Sequence, residues 1–164
     1  MESRLLYRRT AMKKIAAILD RLSASQNSFY LIKEFNKMQE NNAYSPVCFY
    51  NNLSATPVKT LFACMNISYY AYFDGITVAT SIDTADTTLK TKNNSRKFLY
   101  LWDLEWLREP MGFDHVNSVL SDPKLDIISR SDSHKVIIEN YCNRKVSGIV
   151  EDWNIQQLEN IVWT

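Results

Sequence analysis

Only three glycines occur in the sequence, Gly75, Gly112 and Gly148, and no two of them stand close together. A P-loop and a dinucleotide fingerprint both need clustered glycines where backbone meets phosphate, so both are excluded. Histidine and cysteine are nearly as rare: His115 and His134, with Cys48, Cys64 and Cys142, show no metal-ligand spacing. Neither a bound metal nor a disulfide framework is expected, and two of the thiols fall in apolar stretches as small hydrophobes. No apolar run approaches the ~18 residues of a membrane span, and residues 1–11 lack the apolar centre of a signal peptide. The expectation is a cytoplasmic setting without a membrane partner. An excess of one charge is lacking too, since 19 Lys+Arg face 18 Asp+Glu for a net +1. No long-range field draws nucleic acid, and any such partner must be held by local groups.

What is present suits one globular domain: 164 residues, 46% hydrophobic and 23% charged. Residues 1–11, with Arg4, Arg8 and Arg9, read as a basic, disordered leader, Met12 as a natural start, and residues 12–164 as a single Rossmann-like domain. From Lys13 onward, short apolar runs alternate with helical periodicity, the mark of a parallel sheet covered by helices. Strands are predicted at Ile15 to Leu19, Val47 to Tyr50, Ile76 to Ala79, Phe98 to Trp102, Leu125 to Ile128 and Val146 to Val150. Helices are predicted at Ser28 to Asn41 with Ser28 as N-cap, Asp83 or Thr84 to Lys90, His115 to Leu120, Ser131 to Asn143, and Ile155 to Val162. Residues 57–73 divide into a helix carrying Val58, Leu61, Phe62 and Met65, then a strand or buried turn from Ile67 to Phe73. The predicted fold is α/β, a doubly wound and mostly parallel sheet with helices on both faces.

Open parallel sheets bind ligands beyond the carboxyl ends of their strands, so residues following each strand carry the functional reading. After the first strand come Arg21, Ser23 and Ser25, a cationic and hydroxyl-rich run into a helix start that suits an anion as well as it suits ordinary capping. Thr80 and Ser81 follow the strand Ile76 to Ala79 in the same way. The run Trp102-Asp103-Leu104-Glu105-Trp106 sets two carboxylates between two flat aromatic faces. A partly desolvated carboxylate can take a proton from a hydroxyl, and Trp102 and Trp106 can stack on a sugar or flipped base. The alternative is two core tryptophans with helix-capping acids. Ser129, Arg130 and Ser131 close the series: a guanidinium and hydroxyls at a helix start, able to hold phosphate or to form a solvated cap with Asp132.

Four of these segments in order resemble the N-terminal, acceptor half of GT-B glycosyltransferases, most closely the phage enzymes that glucosylate hydroxymethylcytosine in DNA. They are Lys14 to Leu19 with its polar loop and helix; Asp74-Gly75-Ile76-Thr77-Val78-Ala79-Thr80-Ser81; Leu99-Tyr100-Leu101-Trp102-Asp103; and Asp126-Ile127-Ile128-Ser129-Arg130-Ser131-Asp132. The resemblance implies transfer of glucose or arabinose from a nucleotide sugar of UDP type to hydroxymethylcytosine in DNA, with no permanently bound cofactor. It makes Asp103 the candidate base, with Glu105 its rival. Arg21, Ser23, Ser25, Ser129, Arg130 and Ser131 then face the donor phosphates, and Trp102, Trp106, Thr80 and Ser81 the acceptor. In that family a second, C-terminal domain binds most of the nucleotide sugar, so a further subunit or a homodimer is expected. A non-catalytic DNA- or nucleotide-binding half of a split enzyme is the alternative. A response-regulator-like domain would want an acidic cluster at the first strand end, where Asp20 stands alone.

Overall fold

The computed structural model describes residues 12–108 and 112–164, so the basic leader read at residues 1–11 lies outside the described residues. Short runs of β-branched and aromatic residues, apolar on both sides, favour parallel strands that helices must cover on each face. The strands are β1 (Lys13–Leu22), β2 (Tyr44–Leu53), β3 (Ala63–Asn66), β4 (Ile76–Ala79), β5 (Arg96–Leu101), β6 (Leu125–Ser129) and β7 (Gly148–Ile149). They form one sheet in the order β3-β2-β1-β4-β5-β6-β7, with every pairing parallel. The helices are α1 (Gln26–Glu40), α2 (Ile82–Lys90), α3 (Phe113–Leu120), α4 (Asp132–Cys142) and α5 (Ile155–Val162). The fold is α/β and Rossmann-like, doubly wound about β1.

Side-chain alternation splits the core into layers. Ala17, Val78, Phe98 and Tyr100 meet Leu31, Ile32 and Phe35 of α1 and Leu158 and Val162 of α5. On the opposite face Leu99, Leu101 and Ile127 meet Ile82 and Ala85 of α2, Val116 and Leu120 of α3, and Ile138 of α4. Beyond β1 and β2, Ala16, Ile18 and Phe49 pack on Tyr70 of a 3-10 turn spanning Ile67–Tyr72. Gly75 shows one use of the scarce glycine: a Cβ there would stand 2.7 Å from the Lys14 carbonyl, where the starts of β1 and β4 converge.

Several boundaries differ from the sequence prediction. Helix α1 starts earlier, because Ser25 rather than Ser28 is its N-cap: Ser25 Oγ accepts from the Ser28 amide at 3.2 Å. Ser28 sits inside the first turn, fully buried, 3.0 Å from the Ser25 hydroxyl. The helix predicted from residue 57 does not form. Asn36 instead pins this irregular segment, accepting from the Leu61 amide at 2.8 Å and donating to the Lys59 carbonyl at 2.9 Å. Phe62, edge-on to Phe35 at 5.4 Å, and the partly buried Val58 anchor it to the core, while Leu61 and Met65 stay exposed. Tertiary contacts override a helical spacing here. The strand predicted from Val146 to Val150 narrows to β7, flanked by Ser147 and Val150 amides donating to Ile127 and Ser129 carbonyls.

With every strand parallel, all carboxyl ends and the starts of α1, α2 and α4 share one edge. Three serines cap those helices: Ser25, Ser81 and Ser131 accept from the amides of Ser28, Thr84 and His134. The topological switch lies between β1 and β4, and there Thr80 Oγ1 donates to the Ile18 carbonyl at 2.9 Å, tying the two strand ends together.

Candidate functional site

The polar groups of the carboxyl edge converge at the ends of β5, β6 and β7. β5 stops because the chain turns at Trp102, whose amide donates back to the Tyr100 carbonyl at 2.9 Å. Trp102 is thereby folded down onto the α1 face, 9% exposed, 6.0 Å from the rings of Tyr100 and Tyr30. Arg130, the first residue beyond β6, lays its guanidinium over this ring, 3.8 Å from the centroid. Such stacking is worth about 0.5–2 kcal/mol and fixes the plane of the fork. Arg130 Nη2 also donates to Asp152 Oδ1 at 2.9 Å.

Asp152 reaches Arg130 from an unusual turn. Asp152 and Trp153 both have positive φ, 46° and 62°, a conformation costing about 1–2 kcal/mol for each residue bearing a Cβ. Packing holds it. The Trp153 ring is fully buried, edge-on to Tyr100 at 4.9 Å and to Phe35 at 5.9 Å, and its Nε1 donates to Asn27 Oδ1 at 2.7 Å. Tyr100 donates its hydroxyl to the Val150 carbonyl at 2.5 Å, and the Gln157 side chain accepts from the Glu151 amide at 2.8 Å. Burial pushes the Tyr100 phenol well above its ordinary range, with the Trp153 backbone and Arg130 opposing.

Two clefts flank this turn. One, about 310 Å³, is lined by Arg130, Ser131, His134, Glu151 and Asp152. The other, about 250 Å³, is lined by Tyr30, Lys33, Glu34, Glu151, Asp152 and Asn154. His134 Nδ1 is buried beside the first without a hydrogen-bond partner among the described residues. The arrangement can receive an anion through a stacked guanidinium and the start of α4.

The structure distributes the other sequence-predicted residues. Asp103 is tied at both oxygens, Oδ1 to the Leu104 amide at 3.1 Å and Oδ2 to Arg108 at 2.8 Å. Glu105 opens the short 3-10 turn that follows. The two tryptophans expected to flank these acids as one platform lie on opposite faces of the sheet. Trp106 packs against the α2–α4 layer, 5.2 Å from Tyr141, with its buried Nε1 unpartnered among the described residues. Backbone turning at Trp102 separates them. Ser25, Ser81 and Ser131 spend their hydroxyls as caps, Ser129 is buried and donates to the Ser131 carbonyl at 3.0 Å, and Thr80 is committed to β1. The Ser23 amide donates to Ser28 Oγ at 3.3 Å, and Arg21 is exposed within β1. Of the predicted phosphate ligands, Arg130 and Ser131 therefore line the cleft together.

Sequence reading missed Glu151, Asp152, Trp153, Asn27, Tyr30 and Lys33. A signal existed for three of them: Glu151-Asp152-Trp153 follows the last apolar run as the other polar turns follow theirs. Among the described residues no helix is long and apolar enough to cross a membrane, and no group of three or more His, Cys, Asp or Glu is placed to hold a metal ion. Comparison of the chain with known protein families, curated proteins and solved structures finds no match.

Proposed function

We propose that this chain is a GT-B-type glycosyltransferase domain, moving glucose or arabinose from a UDP-sugar to hydroxymethylcytosine in DNA. One observation carries the donor side of this reading: Arg130, stacked on Trp102 at the carboxyl edge of a Rossmann-order sheet, opens into a cleft beside the start of α4. The substrate class rests on the resemblance of the four ordered segments.

In this reading the acceptor hydroxyl oxygen attacks the anomeric carbon of the donor. The bond from that carbon to the diphosphate breaks, and the nucleoside diphosphate leaves with the electron pair. Asp103 takes the hydroxyl proton, acting from within its pair with Arg108, with Glu105 as the second candidate. Arg130, released from Asp152, and the N-terminal amides of α4 neutralise the leaving diphosphate. The phosphate-holding work falls to a side chain, consistent with the lack of glycine for a backbone cradle.

The tying of both Asp103 oxygens favours a second reading, a binding half whose catalytic groups come from another chain. Titration of the purified chain with UDP, UDP-glucose and UDP-arabinose, followed by release of free sugar, separates the two. The transferase reading expects donor binding with slow hydrolysis by the chain alone. Binding without hydrolysis favours the half-enzyme, and absence of both binding and hydrolysis overturns the donor assignment.

A further inference from the structure

A second reactive site lies at the far edge of the sheet. Strands β2 and β3 run in parallel, and their register sets Cys48 opposite Cys64. Neighbouring strands stand about 4.8 Å apart and opposed residues send their side chains to one face, within the roughly 4.4–6.8 Å α-carbon separation that a disulfide spans. Both side chains lie on the α1 face, Cys48 buried in the core and Cys64 half-buried against it. Among the described residues β3 is the outermost strand, with no further strand beyond it. Cys48 Sγ donates to the Phe49 carbonyl at 3.8 Å and Cys64 Sγ to the Phe62 carbonyl at 3.9 Å, and the neighbouring Cys48 thiol lowers Cys64 to about 7 against the effect of burial, with Thr60 assisting. Cys48 is shifted upward, first by its Cys64 neighbour and then by burial. The third thiol, Cys142, is set apart in α4, bonded to the Ile138 carbonyl at 3.1 Å.

We propose that Cys48 and Cys64 form a reversible dithiol site that reacts with small-molecule disulfides of the glutathione type. The more exposed sulfur reacts first and the buried one resolves. Cys64 thiolate attacks one sulfur of oxidised glutathione, a bond forms between them, and one glutathione thiolate leaves. Cys48 gives up its proton to solvent and attacks the Cys64 sulfur, expelling the second glutathione thiolate. Two protein thiols are oxidised to one disulfide, and one glutathione disulfide is reduced to two thiols. The product pins the edge strand β3 to β2.

The test is incubation of the full chain in glutathione buffers from fully reduced to fully oxidised, followed by alkylation and peptide mass spectrometry. The expected result in oxidised buffer is a linked Cys48–Cys64 peptide lacking two hydrogens, with Cys142 alkylated, reverting on reduction. In Cys48→Ala the reaction should stop at glutathione on Cys64, and in Cys64→Ala, a change on the edge strand, all remaining thiols should alkylate. Wild-type protein that keeps all three thiols alkylatable in oxidised buffer, or holds glutathione on Cys64 without closing the bridge, overturns the proposal. So does a disulfide formed in Cys64→Ala.

Discussion

The Arg130 guanidinium rests 3.8 Å from the centroid of the Trp102 ring. That contact joins two strand ends, β5 through Trp102 and β6 through Arg130, and aims a cation at the cleft beside α4. Asp152 closes the arrangement from beyond β7, accepting from Arg130 at 2.9 Å, so a phosphate bound as proposed would have to displace it.

Arg130→Ala should therefore weaken UDP-sugar binding by about 10- to 100-fold, the range set by charge-assisted hydrogen bonds. Arg130→Lys should recover little, since an ammonium neither stacks as a plane nor binds as a fork. Calorimetry on the three proteins checks the order, and equal affinities would remove Arg130 from the donor site.

Asp152→Asn should act in the opposite direction. It removes a carboxylate that competes for Arg130, and asparagine tolerates the positive φ of 46°. The pair is part-exposed, at 30% and 43%, so the gain is modest: about two- to fivefold tighter anion binding with little change in melting temperature. Asp152→Ala should instead lower stability by about 1 kcal/mol through the left-handed backbone. Thermal melts with and without UDP distinguish the two substitutions.

Asp103→Asn should leave the fold intact while lowering transfer by about 100- to 10,000-fold, the span of general-base effects. Its ion pair with Arg108 is exposed at 39% and 72%, so the stability change should stay within about 0.5 kcal/mol. Unchanged turnover in a folded variant would move the base elsewhere, with Glu105 next to be substituted.

Tyr100 makes stability pH-dependent at the alkaline end. Burial raises its phenol above the ordinary 10.0, so the folded state holds the proton more tightly than the unfolded chain. Its contribution is complete below pH 10.0 and is lost progressively as pH rises beyond that value. Tyr100→Phe should flatten this alkaline decline and cost about 1 kcal/mol at neutral pH through loss of the bond to the Val150 carbonyl. Urea unfolding from pH 8 to 12 in both proteins measures it.

Periodicity made much of the architecture legible. α5 matches its prediction from Ile155 to Val162 because its apolar spacing is also its buried face, through Leu158 and Val162. β4 matches from Ile76 to Ala79 because Gly75 and Ser81 punctuate it. Residues 57–65 misled because Asn36, distant in sequence, bonds the backbone at Lys59 and Leu61 while residues from Ala63 on pair with β2. The candidate site was readable one strand end at a time, Arg130 and Ser131 included. Its assembly was not: that Trp102 turns toward α1 while Trp106 turns away depends on the backbone after β5. The strained turn at Asp152 and Trp153 has no glycine to announce it, since packing of the Trp153 ring against Tyr100 and Phe35 replaces local preference.

The proposed transfer of a sugar to a hydroxymethylated base is open to direct measurement. The direct measurement incubates the purified chain with UDP-glucose or UDP-arabinose and duplex DNA containing either cytosine or hydroxymethylcytosine, and digests the DNA for nucleoside mass spectrometry. A hexosyl or pentosyl adduct should form on hydroxymethylcytosine, none on cytosine, and be lost in Asp103→Asn. Unmodified hydroxymethylcytosine with every donor, under conditions where the chain binds UDP, would contradict it.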